Sequence, residues 1–112
     1  MTEVKDYYGQ VKYRIDGNYV KDYYGKTVLQ LSDGQIRDYY GQIKYRVEGD
    51  NVKDYYGKTI LRFSNDQIRD YYGQILFRID GDCIKDYYGK VLLRLSGPVS
   101  HAALCAIVAE FL

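Results

Sequence analysis

The hexapeptide "VKDYYG" begins at Val4 and begins again at Val20. Variants of it follow at Ile36, Val52, Ile68 and Ile84, so the spacing is a constant 16 residues. Such a short period means that each unit is one supersecondary element, which must bury its apolar face against its neighbours. Sixteen is also even, so successive units present the same faces.

Each unit reads as a β-hairpin. In the second, Asn18 to Asp22 form a short strand and Tyr23-Tyr24-Gly25 the tip. Lys26 to Leu31 form the return strand, and Ser32-Asp33-Gly34 turns into the next unit. "DYYG" suits a type I turn with Asp first and Gly fourth. The carboxylate accepts turn N–H groups, and Gly enters the left-handed region without a Cβ clash, which makes the common three-residue hairpin with a G1 bulge. The opposite ends carry "DG" at Asp16, Asp33 and Asp80, "EG" at Glu48 and "SG" at Ser96, all turn dipeptides. The fourth unit has "SND" instead, so Asn65 or Asp66 must take the strained conformation.

Along the return strands, period-2 alternation places Val11, Tyr13 and Ile15 on one face and Lys12 and Arg14 on the other. The same register puts Thr27, Ile43, Thr59, Ile75 and Val91 inward, and Val28, Lys44, Ile60, Leu76 and Leu92 outward. On the short strands Val4, Val20, Ile36, Val52, Ile68 and Ile84 face inward, with Lys5, Lys21, Arg37, Lys53, Arg69 and Lys85 outward. A second rhythm runs at 32 residues: odd units read "GQ(V/I)" and even units "GK".

The fold class is therefore mainly β, a single domain over residues 1–112. Six hairpin repeats, about 12 strands, occupy 1–97, and an apolar helix occupies 98–112. Laid flat, the antiparallel meander would span ~55 Å and leave one apolar face bare. The favoured solution is a sheet rolled into a barrel. The tail "GPVSHAALCAIVAEFL" supplies its plug or cap, a helix starting near His101 with Ser100 as N-cap. The alternatives are a β-trefoil-like arrangement and an open single-layer sheet that pairs with another copy.

Composition narrows function mostly by exclusion. Sixteen basic and fifteen acidic residues leave a net charge of +1, which gives no reason to expect nucleic acid or an anionic membrane surface as partner. "MTEVKDYYG" has no apolar signal-peptide core, and the tail is too short to span a bilayer, so a cytoplasmic location is expected. Cys83 and Cys105 have no metal or redox spacing, and free thiols are favoured over a disulfide. His101 and Cys105 share a helix face, as a nucleophilic pair would, but lack a third residue or oxyanion donor. Asp6, Asp22, Asp38, Asp54, Asp70 and Asp86 are explained by turn formation rather than by a metal. No enzyme activity, metal or cofactor is expected.

Turn chemistry does not explain the tyrosines. Of fifteen, twelve form the pairs Tyr7/Tyr8, Tyr23/Tyr24, Tyr39/Tyr40, Tyr55/Tyr56, Tyr71/Tyr72 and Tyr87/Tyr88. They would gather at one rim, either packing tip against tip or forming an aromatic platform for carbohydrate, peptide or protein. Two functional classes follow: a non-enzymatic binding module using this rim, and a structural or self-assembling scaffold. Whether the chain is a monomer or a homo-oligomer stays open.

The "(I/V)(K/R)DYYG" unit, with its apolar strand, "DG" turn and apolar tail, resembles short bacterial tandem-repeat proteins of uncharacterised function. The resemblance covers nearly the whole chain and implies no activity. An open meander would resemble the single-layer sheet of spirochaetal outer surface protein A, in architecture only. The aromatic repeats of choline-binding and clostridial toxin proteins are a weaker match, because theirs are longer and rely on Trp or "YYF" runs.

Overall fold

A computed structural model describes residues 2–112. It is a closed antiparallel barrel of twelve strands in meander order, with a C-terminal helix. The strands alternate short and long: β1 (Thr2–Lys5), β2 (Val11–Asp16), β3 (Tyr19–Asp22), β4 (Thr27–Ser32), β5 (Gln35–Asp38), β6 (Ile43–Glu48). The second half continues with β7 (Asn51–Asp54), β8 (Thr59–Ser64), β9 (Gln67–Arg69), β10 (Ile75–Asp80), β11 (Cys83–Asp86) and β12 (Val91–Leu95). Helix α1 (His101–Phe111) follows. The rolled meander holds, and the trefoil and open-sheet alternatives fall.

The 32-residue rhythm shows itself in the turns between hairpins. After odd units a glycine comes first in a two-residue loop, with φ of 60° at Gly17, Gly49 and Gly81, the pattern of a type II′ turn. After the second and fourth units both loop residues have positive φ: Asp33 with Gly34, and Asn65 with Asp66. That is the I′ pattern, and Asn and Asp are the side chains that tolerate it best. "SG" at Ser96 is no hairpin turn. There the Ser96 N–H donates to the Glu3 carbonyl, and the Ser96 hydroxyl accepts the Glu3 N–H at 2.8 Å.

That contact lies at the seam. β12 pairs with β1 through Leu95↔Val4 and Arg94↔Lys5. The corresponding pairs inside the sheet are Leu31↔Ile36 and Gln30↔Arg37. The first strand thus sits where the short strand of a seventh unit would begin, and the ring closes without a register shift.

One part of the face assignment is corrected. Every hairpin carries a β-bulge just after its tip, where Val4 pairs with Tyr13 but Lys5 pairs with Val11. The same slip recurs in the other five. An extra residue in the return strand breaks the alternation. Directly paired residues share a face, so Val11, Ile43 and Ile75 lie on the outer face with Lys5, Arg37 and Arg69. Beyond the bulge, Val28, Ile60 and Leu76 pack against the core instead of facing solvent. Lys44 reaches the helix, where its Nζ donates to Glu110 Oε1 at 2.7 Å.

The core is a ring around the helix. Val4, Val20, Ile36, Val52, Ile68 and Ile84 are fully or almost fully buried, as their inward register requires. Leu29, Leu31, Leu61, Phe63, Leu93 and Leu95 join them from the return strands. From α1 come Ala103, Cys105, Ala106, Ile107 and Val108. Eleven residues of helix rise about 16 Å, which matches the 17 Å shortest dimension of the molecule. Ser100 caps the helix, its Oγ accepting the Ala103 N–H at 3.1 Å.

Two substitutions test this arrangement by urea denaturation. Ile107→Ala should cost about 2–5 kcal/mol, because the barrel wall cannot collapse onto the void. Gly41→Ala should cost about 1–2 kcal/mol for its left-handed backbone. Gly34→Ala should cost more, since a Cβ there would also lie 3.0 Å from the Val47 carbonyl oxygen.

Candidate functional site

In an up-and-down barrel every hairpin tip emerges at the same end, so the six "DYYG" turns form one rim. Each is built identically. The Asp carbonyl accepts the Gly N–H at 3.0–3.1 Å, and the Asp N–H donates to the carbonyl of the residue after Gly at 2.9 Å. The carboxylate turns inward over the loop. Asp6 Oδ1 accepts the N–H groups of Tyr8 and Gln10, both at 2.9 Å. Asp22, Asp38, Asp54, Asp70 and Asp86 repeat this at 2.9–3.0 Å. The aspartates are therefore occupied by the turn, and among the described residues no cluster of His, Cys, Asp and Glu could hold a metal.

The two tyrosines of each tip stand edge to face, with ring centroids 5.3–5.4 Å apart and planes at 80–83°. Their surroundings differ. The first ring of each pair is 50–61 % exposed. The second ring, at Tyr8, Tyr24, Tyr40, Tyr56, Tyr72 and Tyr88, is 83–90 % exposed. Cations from the preceding unit lie over several of the first rings: Arg14 over Tyr23, Lys26 over Tyr39, Arg62 over Tyr71 and Arg78 over Tyr87, at 5.4–6.0 Å from the centroids. At such exposed positions each contact contributes ~0.5–1 kcal/mol.

Between tips the outer wall is notched. One cleft of about 520 Å³ is lined by Gln10, Val11, Lys12, Tyr23 and Tyr24. Two more, each about 460 Å³, recur further round the ring. One is lined by Arg37, Gln42, Ile43 and Tyr55, the other by Arg69, Gln74, Ile75 and Tyr87. The apolar floors at Val11, Ile43 and Ile75 are the residues that the bulge turned outward. Alternation along the strand hid them, and with them the clefts. The apolar residues at 28, 60 and 76, on the supposed solvent face, were the available signal.

Several of the outer cations are paired with acids. Lys21, Lys53 and Lys85 meet Asp16, Glu48 and Asp80 at 2.8–3.3 Å. Arg37 and Arg69 donate to the tip carbonyls of Gly41 and Gly73, and to Gln35 and Gln67.

The remaining candidates lie with the helix. Its C-terminal end points toward the tyrosine rim: Phe111 stacks on Tyr13 at 3.7 Å, and the Tyr45 hydroxyl donates to the Ala109 carbonyl at 3.3 Å. At the other end His101 Nε2 lies 2.9 Å from the Gly49 carbonyl oxygen and 3.6 Å from Cys105 Sγ. Burial pushes the Cys105 thiol up to about 12, with the Asp50 charge adding to the shift. A thiol so placed stays protonated at neutral pH, so the pair lacks the thiolate that nucleophilic chemistry needs. Cys83 and Cys105 are both free. No helix among the described residues is long and apolar enough to cross a membrane. Comparison of the chain with protein families, with curated proteins and with solved structures returned no match in any of the three.

Cys105 also sets a pH dependence. Its pKa is raised above the ordinary value of 9.0, so its contribution to stability is complete below pH 9 and is lost as pH rises towards 12. Burial raises Tyr13 and Tyr45 in the same direction. Stability followed by denaturant titration should fall above about pH 9, and less steeply in Cys105→Ala. At pH 8 iodoacetamide should label Cys83 and spare Cys105 in the folded protein, whereas both react in urea.

Proposed function

We propose that this protein is a non-enzymatic binding module that engages its partner through the tyrosine rim. One observation carries the reading: in all six tips the second tyrosine is 83–90 % exposed, although Asp and Gly alone hold the turn. Exposed aromatic rings repeated at one end of a molecule have no role in its core, and such patches on soluble proteins mark interaction sites. Tyrosine suits the task. It offers a large rigid surface with few rotamers to freeze, and a hydroxyl at its edge. The partner is a protein, peptide or carbohydrate. The protonated Cys105 thiol supports a role without catalysis, and the two free cysteines fit a reducing, cytoplasmic setting.

Assembly into a scaffold is the competing class. The closed ring weighs against it, because it leaves no strand edge on which another copy could pair.

A variant with Tyr8, Tyr24, Tyr40, Tyr56, Tyr72 and Tyr88 all replaced by Ala separates the two. Each replacement should change stability by no more than about 0.5 kcal/mol, since the rings lie outside the core. Binding to a printed panel of peptides and glycans should disappear. Light scattering should give a monomer mass at every concentration for both proteins. Undiminished binding by the variant would overturn the rim reading. A mass that grows with concentration and returns to the monomer in the variant would establish assembly instead.

A further inference from the structure

The odd and even gaps between tips differ in a way that the rim reading leaves unused. Where hairpin 1 faces hairpin 2, and likewise 3 faces 4 and 5 faces 6, the gap has an aliphatic floor: Val11, Ile43 or Ile75. Tyr23, Tyr55 or Tyr87 forms one wall, and the amide of Gln10, Gln42 or Gln74 stands beside it. In the intervening gaps a lysine, Lys26, Lys58 or Lys90, replaces the glutamine throughout, and the floor position is polar at Thr27 and Thr59 but aliphatic at Val91. One of those lysines, Lys26, lies over the ring of Tyr39 at 5.4 Å. The 32-residue period of the sequence thus becomes a threefold set of similar clefts.

We propose that these three clefts are equivalent subsites for a neutral carbohydrate, each taking one pyranose ring of a glycan that displays several; this rests on the tyrosine-rim reading. A pyranose has a face of C–H groups and an edge of hydroxyls. The aromatic wall and aliphatic floor match the face. The glutamine amide, which both donates and accepts, matches the edge. A few polar groups placed on an apolar surface is the ordinary construction of a small-ligand site.

The alternatives fit less well. A peptide that binds by adding a strand needs a free edge, and the closed ring offers none. An anionic ligand would find the cation of each cleft already engaged: Lys12 lies 3.8 Å from Asp6, and Arg37 and Arg69 donate to the Gly41 and Gly73 carbonyls and to Gln35 and Gln67. A bilayer surface would be met by the whole rim alike and gives no role to an odd–even alternation.

Three sites lying within the 36 Å breadth of one molecule also make multivalent capture natural. Once one residue of a polymer is bound, its neighbours are at high effective concentration.

The test uses immobilised glucan, mannan, galactan and xylan, with phosphatidylcholine vesicles alongside. Two triple variants are compared after urea titration shows that both are folded: Tyr23→Ala/Tyr55→Ala/Tyr87→Ala, and Tyr7→Ala/Tyr39→Ala/Tyr71→Ala. The first should lose binding to at least one polysaccharide by a hundredfold or more, and the second by less than threefold. Tyr55→Ala alone should lower the stoichiometry for a soluble oligosaccharide from three to two and leave the affinity of the other sites unchanged. Gln10→Ala/Gln42→Ala/Gln74→Ala, which leaves every ring in place, should weaken binding at least tenfold. Equal losses in the two tyrosine triples would overturn the three-cleft assignment and leave the rim reading standing. Binding to vesicles but to no polysaccharide, lost in both triples, would overturn the carbohydrate while keeping the rim. Binding that survives both triples would overturn the clefts, and its further survival when Tyr8, Tyr24, Tyr40, Tyr56, Tyr72 and Tyr88 are all replaced by Ala would overturn the rim reading as well.

Discussion

Everything in this molecule depends on the pairing of the first strand with the last. Antiparallel hairpins repeated along a chain build a sheet with two open edges and a single apolar face. Closure of β12 on β1 removes both liabilities at once, the edges by pairing them and the face by turning it inward. The seam repeats the register of the interior pairs, Leu95↔Val4 standing for Leu31↔Ile36. The ring is therefore continuous for its hydrogen bonds although the chain is not. Thr2 Oγ1 donating to the Pro98 carbonyl and Ser96 capping Glu3 fasten the two termini beside it.

Closure of twelve strands creates a second constraint. A barrel of this girth is too wide for its own side chains to fill. The chain resolves this with α1, whose buried residues are mostly small: Ala103, Cys105 and Ala106 beside Ile107 and Val108. Small side chains let a helix fit inside a ring already lined by Val, Ile and Leu. Its C-terminal end is tied to the wall by Lys44 to Glu110 and by Phe111 on Tyr13. The hydrogen bond with Glu110 is the main cause that raises Lys44. Barrel and helix thus need each other, the one to be filled and the other to be buried.

Much of the fold was legible in the sequence because its signals are local. Gly and Asp at fixed offsets announce the turns, an even period keeps the faces in phase, and Ser100 before an apolar run announces the helix. The bulge was legible too, since a type I turn closed by an αL Gly makes a G1-bulge hairpin. Its consequence for the faces was not, because one extra residue reverses the alternation at a single point of each return strand. A reading by simple alternation therefore placed Val11 and Ile43 inside and Val28, Lys44 and Ile60 outside. Four apolar residues, Val28, Ile60, Leu76 and Leu92, on a face read as cationic were the sign of a broken period. Of the site, the tyrosine tips could be found from the repeat alone. The clefts between them could not, because their floors exist only after the bulge has turned a side chain around.

The tip has a further meaning for how such a protein changes. Each turn is secured by the two outer residues of its four, through the Asp carboxylate and the left-handed Gly. Of the middle two, only the backbone N–H of the second takes part, donating to the Asp carboxylate, and neither side chain does. The frame therefore leaves twelve positions on one rim free to vary, in six loops that can be altered one at a time. A lineage carrying this ring could exchange its aromatic pairs for other residues, tip by tip, without renegotiating the barrel beneath. Stability and recognition are written in different letters of the same hexapeptide.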